Sequence, residues 1–155
     1  MRRFCMLCMV LFAIVPVLAE EAKEHFTEAE FRSAVRVLRA APTGPKARAA
    51  CQLIVVWVTE SPNVEVTLGK AIVGIIDNGK NQEEMSLVAA FSAGQALAQL
   101  DNKKDSGFAE AGGREAIALY NQIRKSNPDY TNPAMESLVE AEKQGRLKEV
   151  LETKD

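Results

Sequence analysis

The sequence predicts an all-α protein of about six helices arranged as antiparallel hairpins, either stacked or closed into a compact bundle. Three observations carry this. Apolar residues recur at steps of three and four along most of the chain. Clusters of Pro, Gly, Asn and Ser punctuate those stretches. The turns between them are short, which favours antiparallel neighbours.

The first element lies outside that fold. Met1, Arg2 and Arg3 make a positive start, Phe4 to Val17 run without a charge, and Pro16 breaks the run. Val17-Leu18-Ala19 then places small or β-branched residues before a cut. Residues 1–19 are expected to be a cleavable signal peptide, because the apolar run is shorter than the roughly 20 residues of a spanning helix. The mature chain is expected to be exported, periplasmic or secreted, and free of the membrane after cleavage; the absence of an Asn-x-Ser/Thr site fits this. Cleavage leaves 136 of 155 residues, enough for one compact domain of about 100–150. It leaves 17 Lys plus Arg against 21 Asp plus Glu, a formal charge of −4. That balance makes no electrostatic case for nucleic acid or an anionic membrane. Cys5 and Cys8 go with the leader, so Cys51 alone remains and no disulfide within the mature chain can form.

Residues 20–26 are charged and expected to be a flexible start to a single helical domain over 27–155. Thr27 with Glu30 forms a capping-box pattern, in which hydroxyl and carboxylate satisfy free amides at a helix start. Phe31, Val35 and Leu38 follow at helical spacing and predict a first helix from about Thr27 to Ala41. Pro42-Thr43-Gly44-Pro45 is a turn, and Pro45 can open a second helix because its missing N–H would be unpaired there. That helix, Lys46 to Ser61, contains the apolar run Cys51 to Val58. Periodicity alone does not separate a buried strand from a helix here. The lead-in of Ala47, Ala49 and Ala50 and the length of the stretch select helix. Apolar on nearly every side, it is expected to be central to the domain.

Val64, Leu68, Ile72 and Ile75 step by four, four and three and predict a third helix, ending at Asp77-Asn78-Gly79. Asn81 to Glu84 opens a fourth, with Leu87, Phe91 and Leu97 among the small residues Ala89, Ala90, Ala93, Gly94 and Ala96, which admit a close neighbour. Asp101 to Gly107 is a polar loop. A fifth helix runs from about Phe108 to Lys125 and closes at Asn127-Pro128. A sixth runs from Asn132 or Pro133 to near the C-terminus.

In the C-terminal half the spacing becomes more specific. Ala116, Tyr120, Ile123 and Pro128 follow the small–aromatic–small–proline series of a second helix in a tetratricopeptide repeat. Asn127-Pro128-Asp129-Tyr130 is similar to the junction between repeats, Gln144 to Leu151 to an inter-helix turn with its following helix, and Ala93-Gly94 with Leu97 and Leu100 to a first helix. Residues 88–151 thus resemble a tetratricopeptide (TPR) or related α-solenoid protein, TPR- or HEAT-like. The stretch from Asp101 to Arg114 is about ten residues longer than a repeat of about 34 allows, Ile123 replaces a small residue, and the family's tryptophan is missing. An ordinary helical bundle with an Asn-Pro turn stays open beside it.

Chemistry is sparse. His25 is the only histidine and sits in the charged start, which excludes a histidine triad or a zinc site with several histidines. Cys51, in an apolar helix, is expected to be a buried, inert thiol. Asp101, Asp105 and Gly107 fail as a calcium loop, since Lys103, Ser106 and Gly112 stand where a ligand, the glycine and the glutamate belong. Gly112-Gly113 lacks a phosphate-loop context and is expected to loosen the start of the fifth helix. Glu83, Glu84, Glu140 and Glu142 are expected on solvated faces. Trp57, Phe91 and Tyr120 are expected in the core. No catalytic residue, metal site or cofactor is predicted.

The expected function is a non-enzymatic module that holds a protein or peptide partner outside the cytoplasm. The repeat resemblance implies a groove lined by first helices, with Phe91, Gln95, Gln99, Glu136, Glu140 and Lys143 as contacts. The alternative is a small inhibitor or immunity-type protein that blocks an enzyme, presenting a loop such as Asp101 to Gly107. A hydrolase ranks third.

Overall fold

The computed structural model describes residues 26–76, 81–102 and 107–152, apart from the side chain of Asn102. The signal segment, His25 and the Asp77-Asn78-Gly79 turn lie outside the described residues, as do residues 103–106 of the polar loop. Seven helices and no strand are found among the described residues: α1 (Glu28–Ala40), α2 (Pro45–Glu60), α3 (Lys70–Val73), α4 (Gln82–Asn102), α5 (Phe108–Ser126), α6 (Pro133–Lys143) and α7 (Leu147–Glu152). The all-α class predicted from periodicity is the class observed.

Local chemistry explains the ends that the sequence predicts well. Thr27 caps α1, and both halves of the capping box with Glu30 are present. The backbone hydrogen bond with Thr27, then the one with its side chain, holds the Glu30 carboxyl below its ordinary value. Pro45 opens α2. The run at 51–58 is helical throughout. Asn127 caps the C-terminus of α5 ahead of Pro128.

The centre of the domain is α4, not α2. Residues 86–96 are all buried, and α4 packs on α1, α2 and α5. A helix covered on every side needs small residues where neighbours cross, and α4 supplies Ala89, Ala90, Ala93, Gly94 and Ala96. In α2 the bulky β-branched residues Val55 and Val56 face outward, 41% and 38% exposed, while Ala47, Ala50, Ile54 and Trp57 face the core. Phe31 of α1 stacks on Trp57 with ring centroids 4.1 Å apart. Phe91 and Tyr120 are buried as expected.

The glycine pair at the start of α5 is a packing seam rather than a loose end. A Cβ on Gly112 would lie 2.6 Å from the Phe91 carbonyl oxygen, and one on Gly94 would lie 2.8 Å from the Gly112 Cα. A Cβ on Gly113 would meet the Leu151 side chain at 2.6 Å. Only glycine lets the α4 and α5 backbones come this close, so residues that weaken a helix in isolation bring two helices together, while at Gly113 the Leu147 and Leu151 side chains of α7 pack onto α5.

Two predicted helices change. The third shrinks to the single turn of α3, because residues 62–63 form a turn and residues 64–69 run on without helix. Val64 and Val66 turn partly inward at a period of two, and Val73 and Leu68 remain exposed. β-Branched residues after Pro62 favour that conformation, and α4 supplies the hydrogen bonds that a helix would have supplied. The sixth helix divides at Gly145, which has φ 69°. Arg146 N–H donates to the Ala141 carbonyl and Gly145 N–H to the Glu142 carbonyl, the paired bonds of a Schellman terminus. The chain then turns back, and Leu147 and Leu151 cover Gly113.

Candidate functional site: two faces of the central helix

The first face of α4 carries Gln95 and Gln99, one helical turn apart. Gln95 Oε1 accepts from Thr67 N–H at 3.3 Å, and its Nε2 donates to the Thr67 carbonyl at 3.0 Å. Gln99 repeats the pattern on Glu65, both bonds at 2.8 Å. The rise over four helical residues is about 6 Å and two extended residues span about 6.7 Å, so glutamines at i and i+4 match alternate residues of an extended chain. The segment they hold is the protein's own. Gln95 is 3% exposed, and its amide supplies the partners that the Thr67 main chain would otherwise lack.

The other predicted contact residues are dispersed. Phe91 is 1% exposed and belongs to the core. On α6, Glu136 Oε1 accepts from the Tyr120 hydroxyl at 2.5 Å and from Arg124 at 2.9 Å. Glu140 accepts from Gln144 at 2.7 Å, and Lys143 lies 3.9 Å from its carboxylate. Glu136 and Glu140 border a shallow groove between α6 and α7. The structure brings Gln95 and Gln99 together, but not with the α6 set. Of the inhibitor loop, residues 103–106 lie outside the described residues, while Asp101 is part of α4.

Between α5, α6 and the end of α3 lies a polar cluster. Asn132 caps α6 by accepting from Met135 N–H, donates through Nδ2 to the Ile75 carbonyl at 2.9 Å, and donates its own N–H to the Tyr120 hydroxyl. Burial, then the hydrogen bond to Glu136, pushes the Tyr120 phenol up. Burial and the nearby Glu84 push Tyr130 up to about 12. Glu84 is 6% exposed, so the sequence expectation of a solvated carboxylate fails there. At the first turn of α4, Met85 faces outward while Glu84 faces the packed side, and its side chain is buried there. Its Oε2 and the Tyr130 hydroxyl have no hydrogen-bond partner among the described residues.

The second face of α4 opens on a cleft of about 430 Å³ between α1, α4 and α5. Val35, Gly94, Leu97, Ala98 and Ala111 give it apolar lining, and Arg32, Arg36 and Arg39 line it from α1. Those arginines stand at i, i+4 and i+7, one stripe of the helix. Arg32 pairs with Asp101 at 2.7 Å and with Glu28 at 2.7 Å. Arg39 makes two parallel bonds to Glu115, at 2.6 and 2.8 Å. Arg36, between them, has no ion pair or hydrogen bond among the described residues. The stripe was present in the sequence as three arginines on one helix of an acidic protein. The pairing that leaves the middle one unpaired was not.

Nothing in these surfaces assembles a nucleophile with a base. Cys51 is buried with Sγ 3.6 Å from the Ser86 hydroxyl, and burial pushes its thiol up, as its setting predicts. Among the described residues no cluster of three or more His, Cys, Asp or Glu side chains is placed to hold a metal ion, and no helix is long and apolar enough to cross a membrane. Comparison with known protein families, with curated proteins and with solved structures finds no match to this chain.

Proposed function

We propose that this chain is an exported, non-enzymatic helical module that holds a protein or peptide partner, and that the partner enters between α1, α4 and α5. The observation that carries the proposal is the cleft itself: an apolar floor, two ion pairs that brace its walls, and an unpaired guanidinium. Apolar concavities with few well-placed polar groups are the usual form of a binding site. The opposite face of α4 is already covered by residues 65–67, which moves the partner away from the Gln95 and Gln99 surface that the repeat resemblance implies. The tetratricopeptide-like spacing of residues 88–151 supports the same general role, and the signal-like leader supports its placement outside the cytoplasm.

Site-specific photocrosslinking tests this. A photoreactive side chain at Ala98 on the cleft floor is compared with one at Gln99 on the opposite face and one at Ser137 on α6, in extracts of cells that make the protein. A discrete adduct from Ala98 alone, competed by excess unlabelled protein, is expected. Adducts only from Gln99 or Ser137, or none at Ala98, would overturn the assignment.

A further inference from the structure

We infer that the α1–α4–α5 cleft binds the free C-terminal end of a partner chain, with Arg36 receiving the terminal carboxylate; this rests on the partner-binding reading above. An unmatched guanidinium points to an anion. Arg32, Arg36 and Arg39 line the cleft with Asp101 and Glu115, and Glu28 adds a third carboxylate on Arg32. All three carboxylates are committed to the outer arginines. Arg36 is therefore the guanidinium left without an acidic partner among the described residues.

The shape points to a chain end. Arg32 and Arg39 are seven residues apart, about 10 Å along the helix. Their ion pairs run across from α1 to α4 and from α1 to α5, one on each side of Arg36. A chain laid through the trench would have to pass both. A terminus needs to pass neither: with its carboxylate on Arg36, the roughly 6 Å of helix toward Arg32 takes about two extended residues at about 3.3 Å each. Ala98 and Ala111 leave room for a last side chain, and Leu97 offers it apolar contact. A guanidinium matches a carboxylate with two parallel hydrogen bonds, the same geometry that Arg39 and Glu115 already show next door.

The test uses the whole chain, isotope-labelled and titrated with three short peptides while amide and arginine side-chain signals are followed. The probes are N-acetyl-Ala-Leu-Val with a free C-terminus, the same peptide amidated, and amidated N-acetyl-Ala-Glu-Leu-Val, whose only carboxylate is on a side chain. The free-ended peptide is expected to shift signals of Arg36, Leu97, Ala98 and Ala111. Amidation is expected to weaken it about tenfold, the scale of one charge-assisted pair. Arg36→Gln should cause the same loss, and Arg36→Lys a smaller one. Arg36 has no partner to lose, so an unchanged melting curve for either variant shows that the fold is intact. Equal binding of the free and amidated forms, or full binding by Arg36→Gln, would overturn the carboxylate assignment. Equal binding of the Glu peptide would overturn the chain-end assignment in favour of an acidic side chain. If no peptide shifts the cleft while the Ala98 crosslink still forms, the carboxylate proposal fails and the partner-binding reading survives.

Discussion

The two faces of α4 differ in what they do with an adjacent space. On one, the long polar side chains of Gln95 and Gln99 reach an extended stretch of the same chain and close the face. On the other, Leu97 and Ala98 do not reach across, and the space between α1 and α5 stays open beneath Arg36. Polar residues spaced along a buried helix therefore marked a self-contact. Small residues opposite a charged stripe marked the opening. The lesson runs against the intuition that exposed polar residues on a helix show where a partner sits: a buried amide is retained because a backbone nearby needs it.

The largest break in this comparison comes from the seam that supports both faces. Gly112→Val would place a branched side chain where even a Cβ meets the Phe91 carbonyl oxygen at 2.6 Å. A loss of about 3 kcal/mol is expected from such overpacking, read as a shifted denaturant midpoint. If the variant melts like the parent, α4 and α5 do not cross at Gly94 and Gly112.

Breaking one face alone should cost less. The double substitution Gln95→Ala and Gln99→Ala removes the hydrogen bonds to Glu65 and Thr67. It should destabilise the protein by about 2 kcal/mol, since four neutral hydrogen bonds to a half-exposed segment contribute about 0.5 each. Limited proteolysis should then cut within residues 62–69 faster, while the Ala98 crosslink persists. Faster cleavage accompanied by loss of that crosslink would mean that the two faces are coupled rather than independent.

On the cleft side, Glu115→Gln releases Arg39 from its two-bond partner. The pair is half exposed on the arginine side, and such pairs contribute about 0.5 kcal/mol. The stability change should be near that and should vanish at high salt. A change of several kcal/mol would show that the pair holds α1 in place rather than bracing an opening.

The smallest effect at neutral pH concerns the cluster that touches neither face. The protein's two tyrosines, Tyr120 and Tyr130, are both shifted upward, Tyr130 to about 12. An acidic phenol raised in the folded state contributes stability below its unfolded value of about 10. That contribution is lost as pH rises through the folded value, so the tyrosines' share of stability should fall between about pH 10 and about 12, on top of the Cys51 thiol's share, which begins to fall above about pH 8.5. Tyrosinate absorbance of the folded protein should lag behind that of the unfolded chain. Coincident titration curves would place both phenols in water.

Much of the architecture was legible because it depends on neighbours close in sequence. Thr27 and Glu30 cap α1 from three residues apart, Pro45 opens α2, and Asn127-Pro128 stops α5. The burial of Phe31, Trp57, Phe91 and Tyr120 follows from their place on apolar stripes. The segment 64–69 departs from its expected helix because its i, i+4 apolar spacing suits a helix, while its hydrogen bonds come from Gln95 and Gln99, 28 and 34 residues away. The prominence given to α2 failed for a related reason: hydrophobic content showed that it was apolar, but not that α4's smaller residues could be surrounded.

The candidate site lies at the far end of that scale. Three arginines on α1 and two carboxylates on α4 and α5 were visible as residues, and their charges could be counted. Which arginine stays unpaired depends on contacts 69 and 76 positions apart, Arg32 with Asp101 and Arg39 with Glu115. Caps, turns and stripes are written within one or two helical turns, so the chain states them directly. An unpaired charge over an open floor exists only after the glycine seam has drawn α5 against α4 and packing has set α1 beside them both.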